Sequence, residues 1–264
     1  MHPTYTILLA PNASLMTGPG TNTIVLGGGV EGATVIDPGC EDQRHLEAII
    51  KAGEERGDIR RILITHGHPD HVGGALELRK MLGIAVYAYS REGVEVADEE
   101  MPDGMIIPAG KETMRAIYTP GHRFDHLSFY LEESRVLFAG DMIAGQGTNV
   151  IAPPEGDMFD YLGSLKRLQK EEIEEIVPGH GPLIRDVQGK LAEYIEHRMQ
   201  REQQVIDVLR EMGGASIGKM VGKIYADVKP ELHPVAAKSV EAHLLKLERE
   251  KRVRQTGSEG WELL

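Results

Sequence analysis

The segment 65–71 reads Thr-His-Gly-His-Pro-Asp-His, and its side chains could bind a metal ion. Three histidines and one aspartate share six positions: His66, His68, Asp70 and His71. The apolar run 61–64 precedes them and predicts a buried strand, so the segment forms a loop at the carboxyl end of that strand. Imidazole nitrogens and carboxylate oxygens are ligands of zinc and similar divalent ions. The segment therefore predicts a metal site at a sheet edge.

Three later segments also end a strand-like run with a residue that can bind metal. Two of them pass through a Pro-Gly turn and one ends in Gly-Asp, and their final residues are His122, Asp141 and His180. Each signal alone is weak, because such dipeptides mark turns in many proteins. Four strand ends that each deliver a metal-binding residue together predict one shared site.

In order and type, these segments resemble the metallo-β-lactamase superfamily. The resemblance spans residues 5–185 and includes an early strand that ends in Asp37. It implies two divalent metal ions, the first held by His66, His68 and His122, the second by Asp70, His71 and His180, with Asp141 bridging them. Zinc suits these ligand types best, and iron or manganese is compatible with them.

The resemblance also implies roles beyond metal binding. Asp37 would orient the ligand loop without touching a metal. Asp70 would have a catalytic role, because it could orient the attacking water or take its proton. His126 is expected to support the site. Hydrolysis by a metal-activated hydroxide is therefore the expected reaction class.

Strands and helices alternate through residues 1–189 and predict an α/β catalytic domain. Their order suits two sheets between helices, which is the αββα sandwich that the resemblance implies. The glycine run 27–29 is interpreted as a hairpin turn, since it lacks the Lys-Ser/Thr ending of a phosphate-binding loop. Residues 190–264 predict three helices and the hairpin 253–264, a pattern that resembles a winged-helix module.

Charge and composition constrain the partners. Residues 190–264 hold 13 Lys and Arg and 12 Asp and Glu, a net charge of +1. The whole chain has a net charge of −12, so residues 1–189 have a net charge of −13. Strong binding to duplex DNA is disfavoured, because its affinity comes largely from phosphate contacts. A basic stripe before the final hairpin is a candidate RNA contact or a solvated helix face: Lys246, Arg249, Lys251, Arg252 and Arg254.

A cytoplasmic location is expected. The first residues lack the basic start and apolar core of a signal peptide, and no window is apolar enough to span a membrane. The single cysteine, Cys40, cannot form an internal disulfide, which fits a reducing compartment. The sequence does not determine the oligomeric state and is compatible with a homo-oligomer.

Three functions are compatible with this pattern. Within the superfamily the chain most resembles the beta-lactamase-like protein 2 branch, whose animal members are similar to single-stranded-RNA endonucleases, so RNA phosphodiester hydrolysis is the first expectation. The alternative is an acyl hydrolase of thioesters, lactones or esters, either glyoxalase-II-like or carrier-thioester-releasing as in fungal relatives. The third is a non-catalytic, metal-stabilised binding module. The acidic residues 1–189 disfavour a polyanion, whereas the resemblance favours RNA.

Overall fold

The computed structural model describes residues 4–257 and 260–264, which form two compact units. The first unit comprises Met1–Thr119, Asp125–Thr148 and Glu171–Val187, and the second comprises Pro120–Phe124, Asn149–Lys170 and Gln188–Leu264. The predicted boundary after residue 189 stays a prediction. The start of the chain (1–3), used above to infer location, and residues 258–259 of the predicted final hairpin lie outside the described residues.

The first unit contains a six-stranded and a five-stranded sheet. The six-stranded sheet follows chain order: β1 (Tyr5–Leu9), β2 (Asn22–Gly27), β3 (Ala33–Ile36), β4 (Ile59–Leu63), β5 (Ala85–Ala88) and β6 (Glu99–Glu100). The five-stranded sheet consists of β7 (Ile106–Ala109), β8 (Glu112–Tyr118), β9 (Leu127–Leu131), β10 (Val136–Gly140) and β11 (Glu175–Pro178). Its spatial order is β11-β10-β9-β8-β7, with the β10–β11 pair parallel and the others antiparallel.

Alternate residues of β2 serve two hydrophobic cores. Ile24 and Leu26 face the core between the two sheets, where Phe129 and Phe138 of the second sheet also lie. Val25 points to the opposite face. That face packs against helices α1 (Gln43–Glu54) and α3 (Ala75–Leu82). This period of two is what a strand buried on both faces requires, and the predicted pair of packed sheets is confirmed.

Two helices follow β4, α2 (Pro69–Val72) and α3. Gly73 and Gly74 separate them where the chain passes close to the loop after β3. A Cβ atom at Gly73 would lie 2.6 Å from the Gly39 carbonyl oxygen, and one at Gly74 would lie 2.8 Å from that of Cys40. The two glycines therefore allow a backbone approach that larger residues would prevent.

The second unit contains four helices and a small sheet. The helices are α4 (Met158–Leu168), α5 (Val187–Met212), α6 (Ile217–Ile224) and α7 (His233–Arg249). The strands are β12 (Ala215–Ser216), β13 (Val253–Thr256) and β14 (Gly260–Leu263), in the spatial order β12-β14-β13. Leu209, Met220, Leu244 and Trp261 share its core. The predicted winged-helix arrangement is confirmed, with β12 as an additional strand. Among the described residues, no helix combines the length and hydrophobicity needed to cross a bilayer.

Candidate metal centre

The histidine-rich loop follows β4 and changes conformation within the segment. His68 has an extended backbone and occupies the N-cap position of α2. Pro69 is the first residue of that helix, where its fixed φ angle and missing amide are well tolerated. Asp70 and His71 therefore lie on the first helical turn, whereas His66 lies in the extended segment before it.

Six of the seven predicted metal-binding side chains lie together in the first unit. The closest contacts between them join His66 Nε2 to His68 Nδ1 at 3.0 Å, His180 Nε2 to Asp70 Oδ2 at 3.1 Å and His71 Nε2 to Asp141 Oδ1 at 3.3 Å. Ligand atoms within 4.8 Å of one another form two overlapping groups, which are His66-His71-Asp141 and Asp70-His71-His180. The side chains that the resemblance assigns to the second metal are thus close together.

The seventh predicted ligand, His122, belongs to the second unit. Its Nδ1 atom donates a hydrogen bond to the carbonyl oxygen of Val150 at 2.9 Å. This bond fixes the ring orientation and leaves Nε2 as the nitrogen with a lone pair. The ring is therefore prepared to bind a metal through Nε2.

Asp37 holds the ligand loop from beneath, as the resemblance implies. Its Oδ2 accepts a hydrogen bond from His71 Nδ1 at 2.7 Å, and its Oδ1 accepts one from the Thr65 amide at 2.8 Å. The Thr65 hydroxyl also donates to Oδ2 at 2.6 Å. One buried carboxylate thus fixes both the start of the loop and the ring orientation of His71.

Supports around His180 come from the start of β2 and the residues just before it. His180 Nδ1 donates to the carbonyl oxygen of Gly20 at 3.2 Å. The Asn22 side chain donates to the carbonyl oxygens of Pro178 and Gly181 at 3.0 and 2.9 Å, so it holds the turn that carries the histidine. Gly179 lies in the same turn, and a Cβ atom there would lie only 2.6 Å from Asp141 Oδ1, so a larger residue would crowd this predicted ligand.

Two consecutive residues directly before β9 support other parts of the site. Asp125 Oδ2 accepts a hydrogen bond from the amide of Gly67, between two predicted ligands, at 2.9 Å. His126 Nε2 accepts one from the amide of Asp141 at 3.0 Å. Both side chains are completely buried. His126 thus lies in the supporting position expected for it. Sequence reasoning missed the supporting roles of Asp125 and Asn22. Asp125 lies close to His122 in the chain but supports the backbone at Gly67, and Asn22 is distant in the chain from every predicted ligand.

The carboxylates of the cluster favour positive charge on its imidazoles. Burial lowers the pKa of His71, but Asp141 and Asp37 raise it well above its ordinary value. Burial also lowers the pKa of His180, but its hydrogen bond to Asp70 raises it overall. Burial raises the pKa of Asp70, whereas His180 and His71 bring it below its ordinary value. The cluster therefore attracts positive charge, whether a proton or a metal cation supplies it.

One buried atom indicates that a metal fits the cluster. His71 Nε2 has no hydrogen-bond partner among the described residues, and it lies 3.3 Å from Asp141 Oδ1 and 3.7 Å from Asp70 Oδ2. A buried polar atom without a partner costs about 1–3 kcal/mol. A divalent ion would satisfy this nitrogen and the facing carboxylates together, and mixed nitrogen and oxygen donors suit zinc. The donor set and the orphan atom therefore both fit a metal.

Comparison with known proteins agrees with this arrangement. Residues 16–180 match the metallo-beta-lactamase superfamily, and residues 216–261 match the beta-lactamase associated winged helix domain. The beta-lactamase-like protein 2 homolog of Caenorhabditis elegans is 36% identical over 251 residues, which cover 92% of this chain and 83% of the homolog. An atrochrysone carboxyl ACP thioesterase of Aspergillus fumigatus is 30% identical over 274 residues, which cover 96% of this chain and 84% of the thioesterase.

A solved structure shares the fold over the whole chain. The crystal structure of a metallo-beta-lactamase family protein from Thermus thermophilus superposes with a TM-score of 0.81 and covers 99% of both chains. Its sequence identity is 22%, so this likeness concerns the fold alone.

Proposed function

This chain belongs to the metallo-beta-lactamase superfamily of hydrolases, and on that premise we propose that it hydrolyses acyl thioesters, esters or lactones with two bound divalent metal ions. The observation that carries the metal-dependent part is the pair of overlapping ligand groups, His66-His71-Asp141 and Asp70-His71-His180, which share the orphan nitrogen of His71. No serine or cysteine nucleophile is required for such chemistry.

The proposed ligand assignment follows the superfamily resemblance. The first metal is held by His66, His68 and His122, the second by Asp70, His71 and His180, and Asp141 bridges the two. Zinc is the proposed metal, because imidazole and carboxylate donors match its preferences.

The protein's own residues divide the work of the reaction. When bound, such metals lower the pKa of a coordinated water towards about 7 and polarise the bond under attack. Burial raises the pKa of Asp70, but His180 and His71 lower it overall, so the carboxylate stays ionised. In that form it can orient the attacking water or take its proton. Asp37 keeps His71 in one orientation throughout.

Two observations support an acyl substrate over RNA. A relative that matches 96% of this chain is named as an acyl carrier protein thioesterase. Four residues of the predicted basic stripe have their charge compensated by carboxylates, with nearest contacts of 2.5–3.1 Å: Lys246, Arg249, Arg252 and Arg254. These ion pairs leave less positive charge for phosphates than the sequence alone suggests. Cleavage of single-stranded RNA, the first expectation from the sequence, is the competing outcome.

A parallel assay on metal-quantified protein tests the proposal. It offers an acyl thioester, a simple lactone and a labelled single-stranded RNA to the wild type, to Asp141→Ala and to a matched control, Asp227→Ala, which removes an exposed carboxylate outside the site. We expect thioester or lactone turnover that Asp141→Ala loses and Asp227→Ala keeps. RNA cleavage lost only in Asp141→Ala, without acyl turnover, would replace the acyl proposal by the nuclease one. Full acyl activity in Asp141→Ala would contradict the ligand assignment.

A further inference from the structure

Two charged side chains occupy the buried face of α5. Arg198 and Glu202 are 3% and 1% exposed and lie one helical turn apart, on the face that also carries Tyr194, Val205 and Leu209. A buried charge costs several kcal/mol unless partners compensate it. The positions of these two residues therefore need an explanation beyond helix packing.

Two cationic partners explain the burial of Glu202, whereas the partners of Arg198 are a backbone carbonyl and an aromatic ring. Glu202 lies 2.7 Å from Lys246 Nζ and 3.1 Å from Arg252 Nη1. Arg198 instead donates from Nη2 to the carbonyl oxygen of Asn149 at 2.5 Å, and its guanidinium carbon lies 5.4 Å from the centre of the Tyr161 ring. The arginine thus contacts a loop backbone and an aromatic ring, both outside α5.

Both contacts of this guanidinium adjoin a support of His122. Val150, which follows Asn149 directly, accepts the hydrogen bond from His122 Nδ1 at 2.9 Å. On the other side, Gly121 packs so closely against Tyr161 that a Cβ atom on the glycine would lie 2.2 Å from the tyrosine Cα. The arginine therefore contacts the two structures between which the histidine is held.

The loop that carries the Val150 carbonyl is not fixed by regular secondary structure. Residues 148–150 belong to no helix or strand. The orientation of an imidazole that donates to a backbone carbonyl depends on where that carbonyl lies. A buried cation that holds the neighbouring carbonyl at 2.5 Å restricts the loop at the position where His122 needs it.

We infer that Arg198 is a positioning residue for His122, acting through the Asn149–Val150 backbone and the Tyr161 ring. The inference rests on the proposed function, in which His122 is a ligand of the first metal. Loss of the guanidinium should weaken binding of that metal by about 10- to 100-fold, the usual effect of removing a support behind a ligand. The second metal, assigned to Asp70, His71 and His180, should bind as before.

The test compares Arg198→Met with Lys246→Met in the full chain. Both substitutions remove a buried cation on the same pair of helices, but Lys246 pairs with Glu202 and Glu250 and has no part in the loop contacts. Zinc binding is measured by equilibrium dialysis against chelator-buffered zinc, and visible absorption of the cobalt-loaded protein reports on the ligand set. We expect one of two zinc ions to bind about 10- to 100-fold more weakly in Arg198→Met alone.

Two further variants keep the test decisive. If Arg198→Met does not fold, Arg198→Lys takes its place, because a single ammonium cannot both bond the Asn149 carbonyl and cover Tyr161. Wild-type affinity for both metals in a folded Arg198 variant overturns the inference, as does equal weakening in Lys246→Met. His122→Ala is measured beside them. If it loses one metal while the Arg198 variants do not, only this inference fails. If it keeps both metals at full affinity, the ligand assignment of the proposed function fails as well.

Discussion

The carboxylate of Asp37 shows how one residue beneath the site can control a ligand above it. It accepts hydrogen bonds from the His71 ring and from both the amide and the hydroxyl of Thr65. An acceptor behind a histidine fixes the ring tautomer and makes the opposite nitrogen a better ligand. A neutral amide at this position would keep the shape of the side chain but remove the charge and one acceptor atom.

We therefore expect Asp37→Asn to weaken binding of one metal by about 10- to 100-fold, because His71 loses its charged acceptor. The chelator-buffered zinc titration measures this effect directly. Asp42→Asn is the matched control, since Asp42 caps α1 by accepting from the His45 amide and asparagine caps a helix equally well. Wild-type affinity in Asp37→Asn would show that the carboxylate only fills space.

Local residue patterns were readable from the sequence, and distant supports were not. The predicted ligands from His66 to His71 lie in one short segment, and their residue types and spacing indicate a metal site. Asn22, in contrast, supports a turn 156 residues away, and Arg198 reaches a loop 49 residues before it. Such contacts exist only once the fold brings the elements together, so no window of the sequence could indicate them.

At the scale of elements, Asn22 joins a strand of one sheet to the end of a strand of the other. It lies at the start of β2, and its side chain donates to carbonyls at the end of β11 and in the turn after it. Its backbone amide also donates to Gly179 at 2.8 Å. The two sheets are thereby held together at the edge that carries His180.

We expect Asn22→Ala to lower the free energy of unfolding by about 1–3 kcal/mol, because it leaves two carbonyl oxygens in this part of the site without their donor. Urea unfolding followed by circular dichroism measures the change. Gln200→Ala serves as control, since it removes an exposed amide that donates to Glu196 and should change stability by less than about 0.5 kcal/mol. Equal stability of the two variants would contradict the role given to Asn22.

The strands that the sequence analysis did not predict have physical reasons for being hard to see. β6 is two exposed glutamates, Glu99 and Glu100, without any apolar alternation. β7 contains Pro108, which argues against a strand except at a sheet edge, and β7 is the edge strand of its sheet. The central strands were predictable because continuous burial leaves them continuously apolar.

Helices α5 and α7 are joined by the ion pair between Glu202 and Lys246, whose effect on stability depends on pH. Burial raises the pKa of Glu202, but the neighbouring His243 ring and the Lys246 ammonium bring it below its ordinary value of 4.5. A carboxyl whose pKa is lowered by folding stabilises the protein above its unfolded-state pKa. That contribution is lost as the pH falls through the lower, folded-state pKa.

Glu202→Gln should therefore destabilise the second unit by about 3 kcal/mol at neutral pH, because Lys246 loses a buried charged partner. The difference from wild type should shrink as the pH falls below about 4.5 and should be lost below the lower, folded-state pKa, where the wild-type carboxyl is also neutral. Trp261 is buried in this unit and is the chain's single tryptophan, so its fluorescence in urea follows the transition. The exposed Glu248→Gln is the control, and a difference that stays constant with pH would refute the pairing argument.

At the scale of the whole molecule, the uneven charge distribution bears on which substrates can approach. The chain has a net charge of −12, because residues 1–189 carry −13 and residues 190–264 carry +1, and all seven predicted metal ligands lie within residues 1–189. Such a field repels polyanions and leaves neutral molecules unaffected, and salt screens it over about 10 Å at 0.1 M. The bound metals would offset this field only close to the site. The charge of the substrate's leaving group therefore determines how strongly the negative field lowers the measured rate.

Two thioesters with the same acyl group separate these effects. For a neutral N-acetylcysteamine thioester, we expect kcat/KM to change less than about twofold between about 50 and about 500 mM salt, because no net charge is steered. For the corresponding coenzyme A thioester, whose phosphates are repelled, kcat/KM should rise several-fold as salt screens the negative field. The neutral thioester controls for salt effects on the metals and on the fold. A fall of the coenzyme A rate with salt would reveal a local positive patch that recruits phosphates, and it would return the RNA hypothesis to first place.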